Sequence, residues 1–439
     1  MNYMVETPQK ITGEVIVPQE TYSLLKKEVK NVLDFKAKIE ANLTKPITEL
    51  IQLILAGAII LDSSDLHIEP EEEAAKVRLR MDGILQDVIS FDLSLYRDLL
   101  SRLKLLSGVK LNVADRPQDG RFSILAQEVV IEARVSTLPA EYGEAVVLRL
   151  LNPKSLIEIE ALGMRPDLLA IIKKEIKKPN GMFIVTGPTG CGKSTTLYAI
   201  LKKIQNPELK IITIEDPIEY HLAGLSQTQV NPEKGYDFAD GLKSIMRQDP
   251  DVILVGEIRD KETSEIALQA ALTGHLVLST LHTNNAAGAV ARLMALGVQA
   301  ANIAPALNLS LAQRLVRKVC AECSVLKPAT AEELEIIKQG LAELPKTIKA
   351  PDIKLGQKIP QIKGCKQCNN TGYRGRIGIF EILAVDDEIE RAIVNSPSAV
   401  DLEAIAKKKG MTTARQDGLL KVLAGVTTLE EVERVTGEN

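Results

Sequence analysis

The spacing of apolar residues in the first sixty positions predicts two packed helices. Residues 20–42 place apolar side chains close to a 3.6-residue period, which predicts one helix that packs against a neighbour. The periodic positions are Leu24, Leu25, Val29, Val32 and Leu33. The longest apolar run, Leu50 to Leu61, is interrupted by Gln52 and is shorter than the roughly 20 residues that a membrane span requires. This run therefore predicts a buried helix.

The next hundred residues mix helical and alternating patterns. Segments 77–81 and 129–135 alternate between apolar and polar residues, as half-buried strands do. Strands and helices in this order predict a small α+β domain. A stretch around 152–165 contains Pro153 and Gly163 and predicts a linker.

After residue 166, short continuous apolar strands alternate with helical segments. Such strands are typical of a parallel sheet that is covered by helices on both faces. The predicted strands are 183–185, 211–214, 252–255 and 276–278. The last 55 residues or so have a polar, helical pattern.

These patterns, with the motifs below, predict an α/β chain of six segments. They are an N-terminal helical segment (1–44), an α+β domain (45–151), a linker (152–165), an α/β core (166–314), a subdomain that contains two cysteine pairs (315–384) and a C-terminal helical segment (385–439).

Composition narrows the class of function. Of the 439 residues, 45% are hydrophobic and 26% are charged, which excludes wholesale disorder. Aromatic residues make up only 3%, there is no Trp, and the net charge is −4, so a nucleic-acid-binding surface is not expected. The first ten residues lack the pattern of a secretory signal, and we expect a cytosolic protein.

A phosphate-binding loop follows the first strand of the predicted core. Residues 187–194 match G-x-x-x-x-G-K-[ST], between an apolar strand and a helix that starts at Lys193. Backbone amides of such a loop surround phosphates, Lys193 would reach the β- and γ-phosphates of ATP, and the Ser194 hydroxyl would bind Mg²⁺. The alternative is a simple glycine-rich turn. The predicted nucleotide-binding residues are Gly187, Pro188, Thr189, Gly190, Cys191, Gly192, Lys193, Ser194 and Thr195.

Two acidic residues at strand ends are candidates for catalysis. Glu257 follows the strand 252–255 and would polarise the attacking water, while Gly256 stands where an Asp usually helps to hold Mg²⁺. Glu215 ends another strand and would serve the water shell of the metal or a second polarising role. For Glu215 and its neighbour Asp216, turn and cap chemistry is the alternative.

Two histidines flank the strand at 276–278. His282 lies where the strand should end, at the sheet edge that binds ligands in α/β proteins, and could sense the γ-phosphate. A hydrogen-bonded structural role is the alternative for His282 and more so for His275.

Four of the five cysteines form a C-x₂-C…C-x₂-C pattern: Cys320, Cys323, Cys365 and Cys368. Four thiolates hold Zn²⁺ in a closed structural site. Reduced or redox-active thiols are the alternative, and the long segment between the pairs predicts an inserted subdomain.

At this point a family resemblance is specific. Residues 246–260, Met-Arg-Gln-Asp-Pro-Asp-Val-Ile-Leu-Val-Gly-Glu-Ile-Arg-Asp, resemble the signature of the secretion and type IV pilus ATPase family. The phosphate loop, the acidic stretch 212–219 and the histidine stretch 273–283 are similar to other boxes of that family, and the resemblance covers about residues 45–439.

The resemblance implies a RecA-like core, a PAS-like first domain and a hexamer, with nucleotide held between domains. It also implies that arginines of the first domain complete the site, and Arg134 and Arg149 are the candidates within the matching stretch. Arg247 and Arg259 fall in the signature, where interdomain ion pairs are the alternative, and Lys243 stands where relatives often have Arg.

The resemblance further implies a motor for type IV pilus assembly or type II secretion, peripheral to the inner membrane. Its expected partners are a polytopic platform protein and, in secretion systems, a membrane-anchored recruiting subunit. The four cysteines resemble the metal-binding subdomain of the secretion and pilus-extension branch. A RecA-like nucleic-acid translocase and a slow, nucleotide-gated scaffold are the alternative functions.

Overall fold

The computed structural model describes residues 13–348 and 353–437. They form two compact units, one made of the described residues within 1–155 and 364–372, the other of those within 156–363 and 373–439. The first ten residues, where no secretory signal was found, lie outside the described part of the chain.

The first unit is a seven-stranded sheet with four helices. Its elements are β1 (Glu14–Ile16), α1 (Gln19–Glu28), α2 (Val32–Glu40), α3 (Ile47–Ile60), β2 (Asp65–Pro70), β3 (Ala74–Met81), β4 (Ile84–Asp92), α4 (Leu93–Ser107), β5 (Gln118–Ala126), β6 (Val129–Ala140) and β7 (Gly143–Leu151). The strand order is β1-β5-β6-β7-β2-β3-β4, and every neighbouring pair is antiparallel except β1 with β5.

The alternating pattern of this unit places one face of the sheet in the core. In β6, Ile131, Ala133 and Val135 are buried, while the residues between them are half-exposed or exposed. The predicted buried helix is α3, whose residues from Leu50 to Ala58 lie largely in the same core. Within the described residues, no helix combines the length and the apolarity that crossing a bilayer requires.

The single helix predicted for 20–42 is wrong, because the chain forms two helices there. The side chain of Asn31 caps α2 by accepting a hydrogen bond from the backbone N–H of Asp34 at 2.9 Å. An Asn at this position favours a helix start over a helix interior. Leu24 and Leu33, counted in the apolar stripe, are consequently exposed.

The second unit is a larger α/β assembly. Its elements are α5 (Pro166–Glu175), β8 (Gly181–Thr186), α6 (Lys193–Ile204), β9 (Ile211–Glu215), β10 (Ser226–Gln229), α7 (Phe238–Ile245), β11 (Val252–Val255), α8 (Lys261–Leu272), β12 (Leu276–Leu281), α9 (Ala287–Ala295), α10 (Ala300–Ala306), β13 (Leu307–Val319), β14 (Val325–Pro328), α11 (Ala331–Leu341), β15 (Lys358–Gln361), β16 (Tyr373–Ala384), α12 (Asp387–Val394), α13 (Ala399–Lys408), α14 (Ala414–Leu423) and α15 (Leu429–Thr436).

A seven-stranded sheet in the order β10-β9-β11-β12-β8-β13-β16 forms the centre of this unit. All its pairs are parallel except β13 with β16. The four predicted strands lie within β8, β9, β11 and β12, whose residues are buried almost throughout, and two apolar clusters cover the opposite faces of the sheet. The carboxyl ends of the parallel strands therefore meet at one edge.

Two predicted boundaries cut through this architecture. Ile159 and Leu162 lie in a short 3₁₀ turn. Both are buried in one of the two apolar clusters of the second unit, so the second half of the predicted linker is packed against that unit. The zinc-binding segment was expected to begin at residue 315, but this position lies inside β13, and β16 likewise belongs to the main sheet. Both strands extend beyond the apolar runs that were used to predict the boundaries.

Between β13 and β16, a small antiparallel pair, β14 with β15, accompanies α11. Ile337 and Leu341 of α11 share an apolar cluster with Leu419 and Val432 of the C-terminal helices. The inserted segment is thus packed on the C-terminal helices, and it is not a separate globule.

Candidate nucleotide-binding site and metal centre

The loop 187–192 leaves the carboxyl end of β8 and leads directly into α6. Gly187, Gly190 and Gly192 have φ values of 148°, 78° and 89°, which side chains other than glycine rarely adopt. A Cβ on Gly187 would also lie 2.6 Å from the backbone oxygen of Gln313. The loop therefore needs glycine both for its curvature and for its contact with β13.

Lys193 lies at the first position of α6 and folds over the loop. Its Nζ donates hydrogen bonds to the backbone oxygens of Gly187 at 2.8 Å and Pro188 at 3.1 Å. Burial lowers the pKa of Lys193, an effect that the nearby Glu257 opposes and that Arg314 reinforces. The ammonium group is thus held at the mouth of the loop, beside the start of a helix, where anions are favoured.

Gln313 of β13 supports the loop from behind. This buried side chain donates from Nε2 to the carbonyl of Cys191 at 2.6 Å and accepts at Oε1 from the Thr196 hydroxyl at 2.7 Å. Sequence reasoning missed it, since β13 contains several polar residues and nothing in the sequence distinguishes Gln313 from the others.

Arg314, the next residue, was also missed and adds a second positive charge near the loop. Its guanidinium donates to the backbone oxygens of Gln313 at 3.1 Å and Asn284 at 2.8 Å. Burial lowers the pKa of Arg314. Two neighbouring cations, Lys193 and Arg314, give this edge of the sheet an affinity for anions.

Glu257 and His282 meet at the same edge of the sheet. Glu257 comes two residues after β11, and its carboxylate pairs with the guanidinium of Arg259. The Nε2 atom of His282, directly after β12, lies 3.8 Å from the other carboxylate oxygen. Burial lowers the pKa of His282, and the positive charge of Lys193 lowers it further. The structure thus brings these two predicted residues together, within electrostatic reach of the phosphate loop.

The strand-end position before Glu257 has room only for a small residue. Gly256 donates its backbone N–H to the carbonyl of Ile214 at 2.8 Å, and an added Cβ would lie 3.3 Å from both that oxygen and the Cα of Glu215. The close approach of β9 favours glycine at this position, where other phosphate-loop proteins usually have an Asp.

Glu215 lies in a buried network of hydrogen bonds. One carboxylate oxygen accepts from the Tyr198 hydroxyl, and the other accepts from Thr213 at 2.6 Å and Gln227 at 3.2 Å. Burial, followed by the charge of Glu215, raises the pKa of Tyr198. These contacts favour a structural role for Glu215, the alternative left open by the sequence.

The other histidine and the arginines of the signature have ordinary partners. Nδ1 of His275 lies 3.0 Å from the carbonyl of Ala270, as a structural histidine would. Arg247 donates to the carbonyl of Lys243 at 3.0 Å, and Lys243 itself pairs with Glu262 at 2.5 Å.

In the first unit, Arg134 of β6 lies directly opposite Arg149 of β7. Nε of Arg134 lies 3.3 Å from Glu132, and Nε of Arg149 lies 3.1 Å from the buried carboxylate of Asp65. The Arg149 side chain is nevertheless 60% exposed, and within the described part of the chain its two terminal nitrogens have no partner.

The four predicted metal ligands form one cluster. The sulfur atoms of Cys320, Cys323, Cys365 and Cys368 all lie within 4.8 Å of one another, and none is in a disulfide. Sulfurs around one zinc ion with bonds of about 2.3 Å are about 3.8 Å apart, so the cluster fits a tetrahedral ion. The backbone N–H groups of Cys365 and Gly372 each donate to Cys368 Sγ at 3.2 Å, as suits a thiolate.

A family model described as type II/IV secretion system protein matches residues 40–434. The chain belongs to this family. It is 46% identical over 415 residues to the type II secretion system protein E of Pectobacterium carotovorum subsp. carotovorum, covering 93% of this chain and 80% of that protein. It is 46% identical over 387 residues to the type IV pilus assembly ATPase PilB of Thermus thermophilus, covering 88% of this chain but only 42% of that protein.

A solved structure extends the comparison. The crystal structure of the pilus retraction motor PilT with bound ADP matches with a TM-score of 0.59 at 27% identity, covering 88% of this chain and 96% of that one. The family predicted from the sequence and the predicted α/β fold are therefore confirmed.

Proposed function

We propose that this chain is an ATP-hydrolysing motor for type IV pilus assembly or type II protein secretion. One observation carries the proposal: the phosphate loop with Lys193 and the pair Glu257–His282 lie at the same edge of one sheet. The pilus assembly ATPase and the type II secretion protein E among its relatives support this function.

The residues divide the work of hydrolysis as follows. Backbone amides of the loop bind the phosphates, and Lys193 exchanges its two carbonyl partners for phosphate oxygens. Glu257 accepts a proton from the attacking water once its carboxylate turns away from Arg259. His282, exposed and beside Glu257, contacts the γ-phosphate side of the site.

The exposed Ser194, in the first turn of α6, suits the Mg²⁺ that accompanies ATP. The ion would neutralise charge on the phosphate oxygens. The four cysteines would hold Zn²⁺ in a closed structural site, which supplies no open position for chemistry.

The proposed assembly is a homohexamer at the cytoplasmic face of the inner membrane. Its partners would be a polytopic platform protein and, in secretion systems, a membrane-anchored recruiting subunit. Arg134 and Arg149 would complete the nucleotide site, because a guanidinium stabilises charge on the transferring phosphoryl group.

Two variants test the proposal by separating binding from chemistry. Lys193→Ala should weaken ATP binding by about tenfold or more and lower kcat by about a hundredfold. Glu257→Gln should lower kcat by a similar factor while the Kd for ATP stays within about threefold, since it removes only the base. Lys202→Ala, on the exposed face of α6, is the matched control.

The assay is phosphate release from purified protein, with Kd measured by a fluorescent ATP analogue. Turnover that survives Lys193→Ala would overturn the proposed function. Single-turnover hydrolysis unchanged by Glu257→Gln would instead favour the slow, nucleotide-gated scaffold.

A further inference from the structure

A buried carboxylate that the proposed mechanism does not use lies behind the segment that follows His282. Glu381, on β16, has only 4% of its surface exposed. One carboxylate oxygen accepts a hydrogen bond from the backbone N–H of Ala286 at 2.7 Å. The other accepts one from the backbone N–H of Ala414 at 3.4 Å. A single side chain thus joins two segments that are far apart in the sequence.

Both donors lie at helix starts. Ala286 is the residue before α9, and Ala414 is the first residue of α14. The first N–H groups of a helix have no partner inside the helix, and their partial positive charge favours a carboxylate. Burial raises the pKa of Glu381, and the two donated bonds oppose this effect. The geometry is that of a carboxylate that serves two helix termini at once.

The segment 283–286 is attached at its other end to the phosphate loop. The hydroxyls of Thr283 and Thr186 are 2.8 Å apart, and Thr283 N–H donates to Thr186 Oγ1 at 2.9 Å. Thr186 is the last residue of β8, immediately before the loop. The Asn285 amide donates to Glu403 of α13 at 2.8 Å. Residues 283–286 therefore run between the phosphate loop and the C-terminal helices.

We infer that Glu381 is a positioning residue for ATP turnover: it holds segment 283–286, and with it His282, against the C-terminal helices. The inference rests on the ATP hydrolysis proposed above. It assigns to β16 and α14, which carry none of the residues proposed above to bind or hydrolyse ATP, control over the geometry of the reacting edge. Displacement of α14 would shift His282 through this carboxylate.

Glu381→Gln is the direct test. The amide nitrogen of Gln is a donor, so the side chain can accept from only one of the two N–H groups. We expect kcat to fall about tenfold, while KM for ATP stays within about twofold, because the contacts of Lys193 are unchanged. In a His282→Ala background, Glu381→Gln should lower kcat by less than about twofold more, since both changes act through one segment.

Asp417→Asn is the matched control. Asp417 is a buried carboxylate of α14 that accepts from the N–H of Phe380 at 2.9 Å and pairs with Lys421, but it has no bond to segment 283–286. The kcat of the Asp417→Asn variant, per folded molecule, should equal that of the parent protein. Glu403→Ala, at a partly exposed site, removes the second tether and should lower kcat about threefold. An unchanged kcat in Glu381→Gln, or an equal loss in Asp417→Asn, would overturn the inference.

Hydrogen exchange measured by mass spectrometry tests the link independently of activity. Glu381→Gln should speed exchange in peptides that cover both the start of α9 and the start of α14, whereas Asp417→Asn should affect only the latter. Unchanged exchange at the start of α9 would refute the positioning role even in a protein without ATPase activity. Absent turnover in the parent protein would refute the proposed function instead.

Discussion

Gln313 shows how one side chain can support both the phosphate loop and the helix that follows it. Its amide nitrogen donates to the carbonyl of Cys191, which fixes one peptide of the loop against β13. Its oxygen takes the hydroxyl of Thr196, on the second turn of α6, so the loop and its helix are held by the same group. Such support lowers the cost of organising the loop when an anion binds.

We therefore predict that Gln313→Met weakens ATP binding. Met has a similar length but no hydrogen-bonding amide, so the carbonyl of Cys191 and the hydroxyl of Thr196 lose a buried partner, at a cost of about 1–3 kcal/mol. Part of this cost should appear as a Kd for ATP raised about tenfold. Gln299→Met, at an exposed position, makes the same chemical change as a control. Equal affinities of the two variants would contradict the supporting role.

At the residue scale, a site could be predicted where its residues are neighbours in the sequence. Residues 187–194 form the loop by themselves, so their motif was sufficient to predict a loop of the phosphate-binding type. Gln313 and Arg314 reach the loop only because β13 pairs with β8, and no local pattern encodes that pairing. The role of Glu215 was open for the same reason, since two of its three partners, Tyr198 and Gln227, lie outside its own strand.

At the scale of elements, apolar strands were the clearest signal and boundaries the least clear. Apolar runs too short for a helix are typical of strands buried on both faces, so β8, β9, β11 and β12 could be predicted. The break between α1 and α2 depends on one capping Asn, which a periodic pattern does not detect. The true extent of β13 depends on its pairing with β16, far along the chain.

The cluster of four cysteines predicts a bound zinc ion that stabilises the fold. Purified protein should contain about one zinc ion per chain. Removing the zinc with a chelator should lower the melting temperature by about 5–10 °C, because the four thiolates lose the metal ion that joins them. Elemental analysis and a thermal scan provide the measurements.

Variants distinguish this metal from an adventitious one. Cys320→Ser should lose the zinc, whereas Cys191→Ser, outside the cluster, should retain it. Zinc content that is unaffected by Cys320→Ser would favour the alternative of reduced or redox-active thiols.

At the scale of the whole molecule, Arg149 is an exposed cation that a buried carboxylate holds in place. Asp65 holds the Nε atom of Arg149, while among the described residues the terminal nitrogens of the guanidinium have no hydrogen-bond partner. A guanidinium held in this way can bind two phosphate oxygens at once. Because Arg149 lies on the exposed surface of the first unit, its guanidinium could reach a nucleotide bound to a neighbouring subunit.

Mixed assemblies test whether Arg149 acts between subunits. Lys193→Ala and Arg149→Ala should each abolish most hydrolysis when present alone. If Arg149 completes the site of a neighbouring subunit, a one-to-one mixture contains sites with an intact loop and an intact arginine from different chains. With random mixing these are about a quarter of all sites, so co-expressed variants should recover about a quarter of the parent activity. Activity no greater than the sum of the two single variants would mean that Arg149 serves its own chain or no site at all, because a loop and an arginine that must share one chain are never both intact in the mixture.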